Sequence, residues 1–420
     1  MKMDRVLLVL VQLFNNKLSS TQDKTIYLGC FFKMKKNYLY ITIFILSIVF
    51  IACSKNNEGC TNPLASNYNL DAKEDDGSCI ITSPGATING KPTPAPIQIP
   101  QIFAQNVNPP IIPINNPQTI EGIALGRKLF YDPILSGDGT QACASCHMPE
   151  FSFSDSAKFS IGITGAMGDR QSMPLFNLAW NYGEKFFWDG RTNSLEDQAL
   201  DPVVNPIEMN NTWPNAVASL QATATYPSLF NTAFGTSNID SNLVAKALSQ
   251  FERTLISANS KFDRFLLGQE SLNLQEANGF AIFDDPDRGD CAHCHGTANN
   301  PLWTDNLFHN NGLDDDGSFV DLGRALVTGD PNDNAKFKTP SLRNLIYSAP
   351  YMHDGRFKTL DEVIDHYSTG VTISSTIDPL MELQANGGSN LTPSEKADLK
   401  AFLLALSDSE FINNPAFQKP

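Results

Sequence analysis

Two five-residue stretches of this chain set thiols and an imidazole at a spacing that captures one particular cofactor. Cys143-Ala144-Ser145-Cys146-His147 and Cys291-Ala292-His293-Cys294-His295 both follow the pattern Cys-x-x-Cys-His. Thiols three positions apart can each add to one vinyl group on the edge of a porphyrin, and the next residue brings an imidazole under the iron. The pattern is the attachment site of a c-type haem, so two covalently bound haems c are expected, with His147 and His295 as iron ligands. Eight cysteines and six histidines in 420 residues are too few for chance to supply the pattern twice. Zinc is the rival for paired cysteines, but a zinc ribbon sets its pairs about 15–20 residues apart. Here 145 positions separate Cys146 from Cys291.

The elements that must hold these groups read as helices. At the end of the chain Leu391-Thr392-Pro393-Ser394-Glu395 is a helix start, and Leu399, Phe402, Leu403 and Leu406 form the apolar stripe behind it. Alternating strand patterns are scarce and Asn, Gly and Pro fill long connections. The expected fold is therefore all-α, with small helical domains and long irregular loops wrapped around haem. Upstream, residues 84–118 carry nine prolines, which stiffen the backbone and remove helix donors, so 82–118 is expected as a Pro-rich linker or stalk.

The N-terminus reads as an export signal. Met34-Lys35-Lys36-Asn37 and the apolar run from Tyr38 to Ala52 lead to Cys53, the order of a lipoprotein signal, with Phe50 where Leu or Val is usual. Fifteen apolar residues are fewer than the ~20 of a membrane span. Residues 1–53 are thus expected to be leader and signal, with the true start at Met34 and membrane attachment only through a lipid on Cys53. The Asn/Asp-rich segment 54–81 resembles small surface repeats of exported bacterial proteins. Its Cys60 and Cys79 can pair in an oxidising compartment, and its carboxylates do not match a calcium loop. Without residues 1–52, which hold seven Lys/Arg and two Asp/Glu, the net charge of −15 becomes −20. Such acidity excludes nucleic acid as a partner and favours a basic electron donor or a neutral small molecule, with plain solubility as the equal alternative reading.

Beyond the haem motifs the sequence resembles the bacterial di-haem cytochrome c peroxidases and their MauG-type relatives. The resemblance rests on the segment from Leu125 to Pro133 (LGRKLFYDP), on Phe187-Trp188-Asp189-Gly190-Arg191, on the segment from Phe337 to Asn344 (FKTPSLRN), and on the one from Ala349 to Gly355 (APYMHDG). It implies two cytochrome c-like haem domains, expected at 119–265 and 266–412. The first haem would react with hydrogen peroxide, and the second would relay electrons from a small cytochrome or cupredoxin.

A peroxidatic haem needs an open face and a group that moves a proton between the two peroxide oxygens. Glu208 matches the family's catalytic glutamate, Gln198 its companion amide, and Trp188 the tryptophan that carries charge between the haems. Gln171, Ser348 and Pro350 match the positions that hold calcium between the domains, although Gln171 replaces a shorter Asn. Two positions depart from the peroxidases. Ile163 stands where a histidine often blocks the first iron, and Tyr367 stands where methionine ligates the second, which points toward the MauG-like branch. Apart from the motifs, His353 is expected to support the second haem, and His309 and His366 to be solvated. Trp180, Trp213 and Trp303 are left as core or surface.

Three functions compete. They are a peroxidase, a MauG-like oxidase of a protein or small molecule, and a non-enzymatic electron carrier. A carrier needs a strong second ligand at each iron, and the first haem lacks one in the sequence.

Overall fold

Polar side chains set the starts of the principal helices. The computed structural model describes residues 58–60, 72, 74–75, 78, 91–381, 383 and 387–420. Thr119 accepts a hydrogen bond from the Gly122 amide and opens the helix Ile120–Tyr131. Reciprocal capping by Asn273 with Glu276, and by Thr392 with Glu395, opens Leu274–Asp284 and Pro393–Ala405. The expected C-terminal helix is therefore present, with Leu399, Phe402 and Leu403 among its buried residues.

Two helix pairs frame the two motifs. Ile120–Tyr131 packs on Ser241–Glu252, and Leu274–Asp284 on Pro393–Ala405. A glycine stands at each crossing. A Cβ added at Gly126 would lie 1.9 Å from the Ala247 carbonyl oxygen, and one at Gly279 would lie 1.9 Å from that of Asp398. Only glycine lets the helices approach so closely. In each pair the first helix runs into a Cys-x-x-Cys-His turn, at Cys143–Ser145 and at Ala292–His295.

Each pair owns a core. Leu129, Phe130, Phe153, Phe230 and Phe251 are buried in the first, and Phe262, Phe283, Trp303, Phe402 and Leu406 in the second. In the second core Phe402 lies 5.0 Å from Phe262 and 5.6 Å from Trp303, ring centroid to centroid, at steep angles that suit aromatic rings. The last helix, Ser409–Asn413, turns back to the first core. There Phe411 meets Phe153 at 5.6 Å, and Arg127 donates to the backbone carbonyls of Pro415 and Gln418.

The fold is all-α with long irregular connections, as expected. Among the described residues 91–420, strand is confined to the two-residue pair Phe308–His309 and Phe337–Lys338, antiparallel with His309 opposite Phe337.

The Pro-rich segment departs from expectation. Residues 91–118 are packed against the body rather than forming a stalk, because their apolar and polar side chains both find partners. Ile102 and Phe103 of the helix Gln101–Asn106 are buried, with Phe103 edge-on to Trp180 at 4.9 Å. Asn116 donates to Glu196, and Gln118 to the Gln250 carbonyl.

Cys60 is buried and disulfide-bonded. Its expected partner Cys79, the signal and lipid site at Cys53, and Cys30 lie outside the described residues. No helix among the described residues is long and apolar enough to cross a membrane.

Candidate functional site

At the first motif a tight turn carries Cys143 and Cys146, whose thiols are unpaired. Burial pushes both thiols upward in pKa. The Nδ1 of His147 is hydrogen-bonded to the Phe153 carbonyl oxygen at 2.8 Å, which orients the ring and leaves Nε2 for a metal. Burial holds this imidazole below its ordinary pKa, so it is neutral and able to ligate. Ser172 Oγ lies 3.3 Å from the same Nδ1 and donates to the Cys146 carbonyl.

Glu208 follows the helix Leu195–Val204 in a turn closed by Asn205. The Asn205 amide donates to Glu208 Oε1 at 2.6 Å, and its own oxygen accepts from the Ile207 amide. Burial raises the Glu208 pKa despite this hydrogen bond and the charge of Arg191. Its charge contributes to raising Cys143 and Cys146, and the segment 161–163 links its backbone to the first motif through Gln141, which donates to the Ile161 carbonyl and to Cys146 Sγ.

The Ile163 amide donates to the Glu208 carbonyl at 3.0 Å. The position of the blocking histidine therefore lies against the candidate acid and carries an aliphatic side chain. Gln198 is on the Leu195–Val204 helix, partly buried. Sequence reading missed Asn205, three residues before the acid, and it missed Glu252. That second carboxyl is fully buried at the end of Ser241–Glu252, is raised to about 8 by burial, and has an unpartnered Oε2; its charge also raises Cys143.

The second motif opens into a cavity of about 210 Å³. Cys291, Cys294 and His295 line it together with Tyr367, Met352 and Leu403. Both thiols are unpaired and pushed up to about 12 by burial, while His295 is lowered to about 4 by burial, with Nδ1 3.3 Å from the Trp303 carbonyl oxygen. Two free, half-buried thiols, an imidazole with one nitrogen tied back, and apolar walls suit a covalently held haem.

Tyr367 lies on a π-helical turn, His366–Gly370, that widens the end of the helix Leu360–Asp365. Its hydroxyl accepts from Asn311 Nδ2 at 2.9 Å, and burial pushes its pKa up to about 12. Asn311, a partner 56 positions away, carries no local sequence signal.

Trp188 is buried in the wall of the same cavity. Its indole donates to the Gln171 carbonyl at 2.7 Å, and its own carbonyl accepts from the Lys338 amide at 2.8 Å. Gln171, Ser348 and Pro350 also reach this wall, and the Gln171 side-chain amide donates to Ser154 Oγ at 2.8 Å.

Two histidines differ from expectation. His309 is partly buried rather than solvated, because it is bracketed by two carboxylates, Asp305 Oδ2 at 2.8 Å and Asp378 Oδ2 at 2.6 Å. His366 is buried, with its Nε2 3.1 Å from the Asn311 carbonyl oxygen. His353 stacks on Phe337 at 3.6 Å in the cavity wall and is lowered to about 4 by burial.

The setting of His309 makes stability depend on pH. Burial opposes its charge, but Asp305 and Asp378 outweigh burial and its pKa is raised. A raised pKa gives stability that is complete below the unfolded value of about 6.5 and is lost as pH rises through the folded value. His309→Gln should therefore lower stability by about 1.5–3 kcal/mol at pH 6, the worth of hydrogen bonds to charged groups. The deficit should shrink toward pH 9. Denaturant midpoints at the two pH values measure this, and a deficit independent of pH would mean the imidazole is not charged.

Comparison with known proteins agrees with this geometry. A family pattern described as di-haem cytochrome c peroxidase matches residues 120–271. The methylamine utilization protein MauG of Methylorubrum extorquens is 40% identical over 303 residues, 70% of this chain and 80% of that protein. Cytochrome-c peroxidase IdrP1 of a Pseudomonas species is 35% identical over 338 residues, 72% of this chain and 85% of that protein. The crystal structure of a MauG-like protein associated with microbial copper homeostasis superposes with a TM-score of 0.69 at 36% identity, over 75% of this chain and 97% of that one. With two free Cys-x-x-Cys-His turns, each closed by a glycine-crossed helix pair, and with relatives similar over four-fifths or more of their length, this chain belongs to the di-haem cytochrome c peroxidase and MauG family.

Proposed function

We propose that this protein reduces hydrogen peroxide to water at its first haem, with electrons from an external donor passed through the second. The observation that carries this is the pairing of a half-buried, pKa-raised Glu208 near the first motif with an aliphatic residue, Ile163, at the position of a blocking ligand. Haem, held by Cys143, Cys146 and His147 and by Cys291, Cys294 and His295, supplies the electron transfer to peroxide when bound.

The chain's own groups manage protons and position. Glu208 takes the proton from the near oxygen of peroxide and returns it to the departing one, and Asn205 fixes the orientation of its carboxyl. Gln198 completes the polar side of that pocket. Two electrons and two further protons convert the peroxide into two waters. Trp188, pinned by Gln171 and Lys338, bridges the two haem sites. A small cytochrome or cupredoxin with a basic face suits the acidic surface as donor.

Domain limits of 119–265 and 266–412 are supported by the existence of two cores, although Phe262 packs in the second core and Phe411 and Phe417 in the first. Calcium at Gln171, Ser348 and Pro350 would tie the segments around Trp188, and a lipid on Cys53 would hold the protein at the periplasmic or outer surface of a Gram-negative bacterium.

Stopped-flow absorption of the ferric protein mixed with hydrogen peroxide, with and without a reduced small cytochrome, tests the reading. A rapid change in the haem spectrum without prior reduction, followed by oxidation of the cytochrome, is expected. An inert ferric protein that never oxidises the cytochrome overturns it.

A second reading, oxidation of a protein or small molecule in the manner of MauG, is favoured by one observation: Tyr367 faces the second motif. A phenolate donates more charge to iron than a thioether, so the second haem should have a low potential. Tyr367→Phe should change the low-spin spectrum and raise that potential by a sizeable fraction of the ~0.8 V that axial ligands span. An unchanged spectrum and potential would leave Tyr367 as a packed residue donating no electrons to iron.

A further inference from the structure

Lys338 is the one lysine or arginine among the residues lining the second cavity, and no function has been given to it. It is 7% exposed, and among the described residues it forms no ion pair. Its ammonium stands over the Phe186 ring, 5.8 Å from the centroid, a weak cation–π contact that leaves its charge unneutralised. Burial drives the amine down to about 7, and the charge of Asp305 only partly opposes the fall. A buried amine without a close ion-pair partner is costly, and an anion bound in the cavity would supply that partner.

The same side chain also borders a smaller adjoining cavity, together with Trp180 and Asn181. Trp180 Nε1 and Asn181 Oδ1 are both buried there without hydrogen-bond partners. Two buried polar atoms without partners thus belong to residues that line the same small cavity as Lys338, whose backbone amide also holds Trp188. The other cationic candidates are spoken for. His309 lies between Asp305 and Asp378, and His353 is stacked on Phe337 and held neutral by burial.

Haem carries two propionate carboxylates, and the covalent bonds at Cys291 and Cys294 fix only its vinyl edge. We propose that Lys338 is a carboxylate-binding residue that pairs with a propionate of the second haem and so positions that haem against Trp188. This rests on the assignment of haem to the second motif. The pair neutralises a charge on each side and anchors the edge of the ring that the thioether bonds leave free. A cation at that edge stabilises the reduced, more negative iron centre, so it raises the haem's reduction potential.

The test uses the full chain with both haems attached, as wild type, Lys338→Met and Lys338→Arg. Potentiometric titration followed by absorption gives the midpoint of each haem, and resonance Raman bands of the propionate bends report their hydrogen bonding. Lys338→Met should lower the midpoint of the second haem, leave the first unchanged, and shift the propionate bands. Lys338→Arg should restore both readouts toward wild type.

Unchanged midpoints and unchanged propionate bands in Lys338→Met overturn the proposal. If Lys338→Met loses the second haem, as shown by the intact mass, then Lys338→Arg decides. Retention with wild-type bands supports the pair, and loss in that variant too overturns it. A wild-type chain whose mass shows no second haem would instead overturn the assignment on which the proposal stands.

Discussion

Glu208→Gln should keep both haems and lose between about 10² and 10⁴ of its rate with hydrogen peroxide, the usual worth of a positioned acid-base group. Glutamine preserves the shape and can still accept from Asn205, so a loss of that size reports the missing proton transfer rather than a collapsed pocket. Burial raises the Glu208 pKa, and the carboxylate must be free to accept the first proton. The wild-type rate should therefore fall on the acid side of a point above the ordinary carboxyl range, and the variant should lack that limb.

Glu252 is the internal rival, since it is more deeply buried than Glu208 and its charge reaches Cys143. Glu252→Gln should change the rate by less than tenfold. Stopped-flow rates across pH for both variants, with cyanide binding as a check that the first haem stays open, separate the two acids. A loss below tenfold in Glu208→Gln would remove Glu208 from the chemistry.

Arg343→Met should destabilise the protein by about 3–5 kcal/mol, the cost of leaving a buried charge without its partner. Arg343 is fully buried and grips Asp263 with two hydrogen bonds of 2.7 and 2.6 Å, while its Nε donates to the Pro301 carbonyl at 2.7 Å. Asp263 is engaged locally as well, accepting from the Ser260 amide and hydroxyl. One guanidinium thus joins the segments around 260, 301 and 343, and the Trp303 carbonyl that orients His295 lies two residues beyond Pro301.

Adding Asp263→Asn to Arg343→Met should recover part of the loss, because the amide accepts the same local bonds without a charge. Denaturant midpoints followed by far-ultraviolet dichroism and by haem absorption measure both variants. A single-variant cost under about 1 kcal/mol, or a double variant worse than the single, would show that the ion pair is not what holds these segments.

What was legible in the sequence was local. Both haem turns could be read because covalent attachment demands residues within five positions, and the Thr392 helix start because a cap and its partner are three apart. Glu208, Trp188 and Tyr367 came from resemblance, since a carboxylate, an indole and a phenol at those positions have no chemical signature of their own. Contacts across the chain were not legible. Asn311 meets Tyr367 from 56 positions away and Asp378 meets His309 from 69, so neither the phenol's partner nor the charge on His309 could be read. The Pro-rich segment misled for a related reason. Composition says that 91–118 is stiff, but only the hole beside Trp180 decides that Ile102 and Phe103 are buried.

The return of the last residues to the first core bears on how the chain is assembled. Phe411 and Phe417 close over Phe153, whose carbonyl orients His147. A polypeptide synthesised from its N-terminus presents Cys143 and Cys146 early, yet the aromatic rings packed beside Phe153 arrive last. The first haem turn is therefore made well before the rings that complete the packing around Phe153. A chain cut short before Phe411 would have its second helix pair complete and its first core without the rings of Phe411 and Phe417.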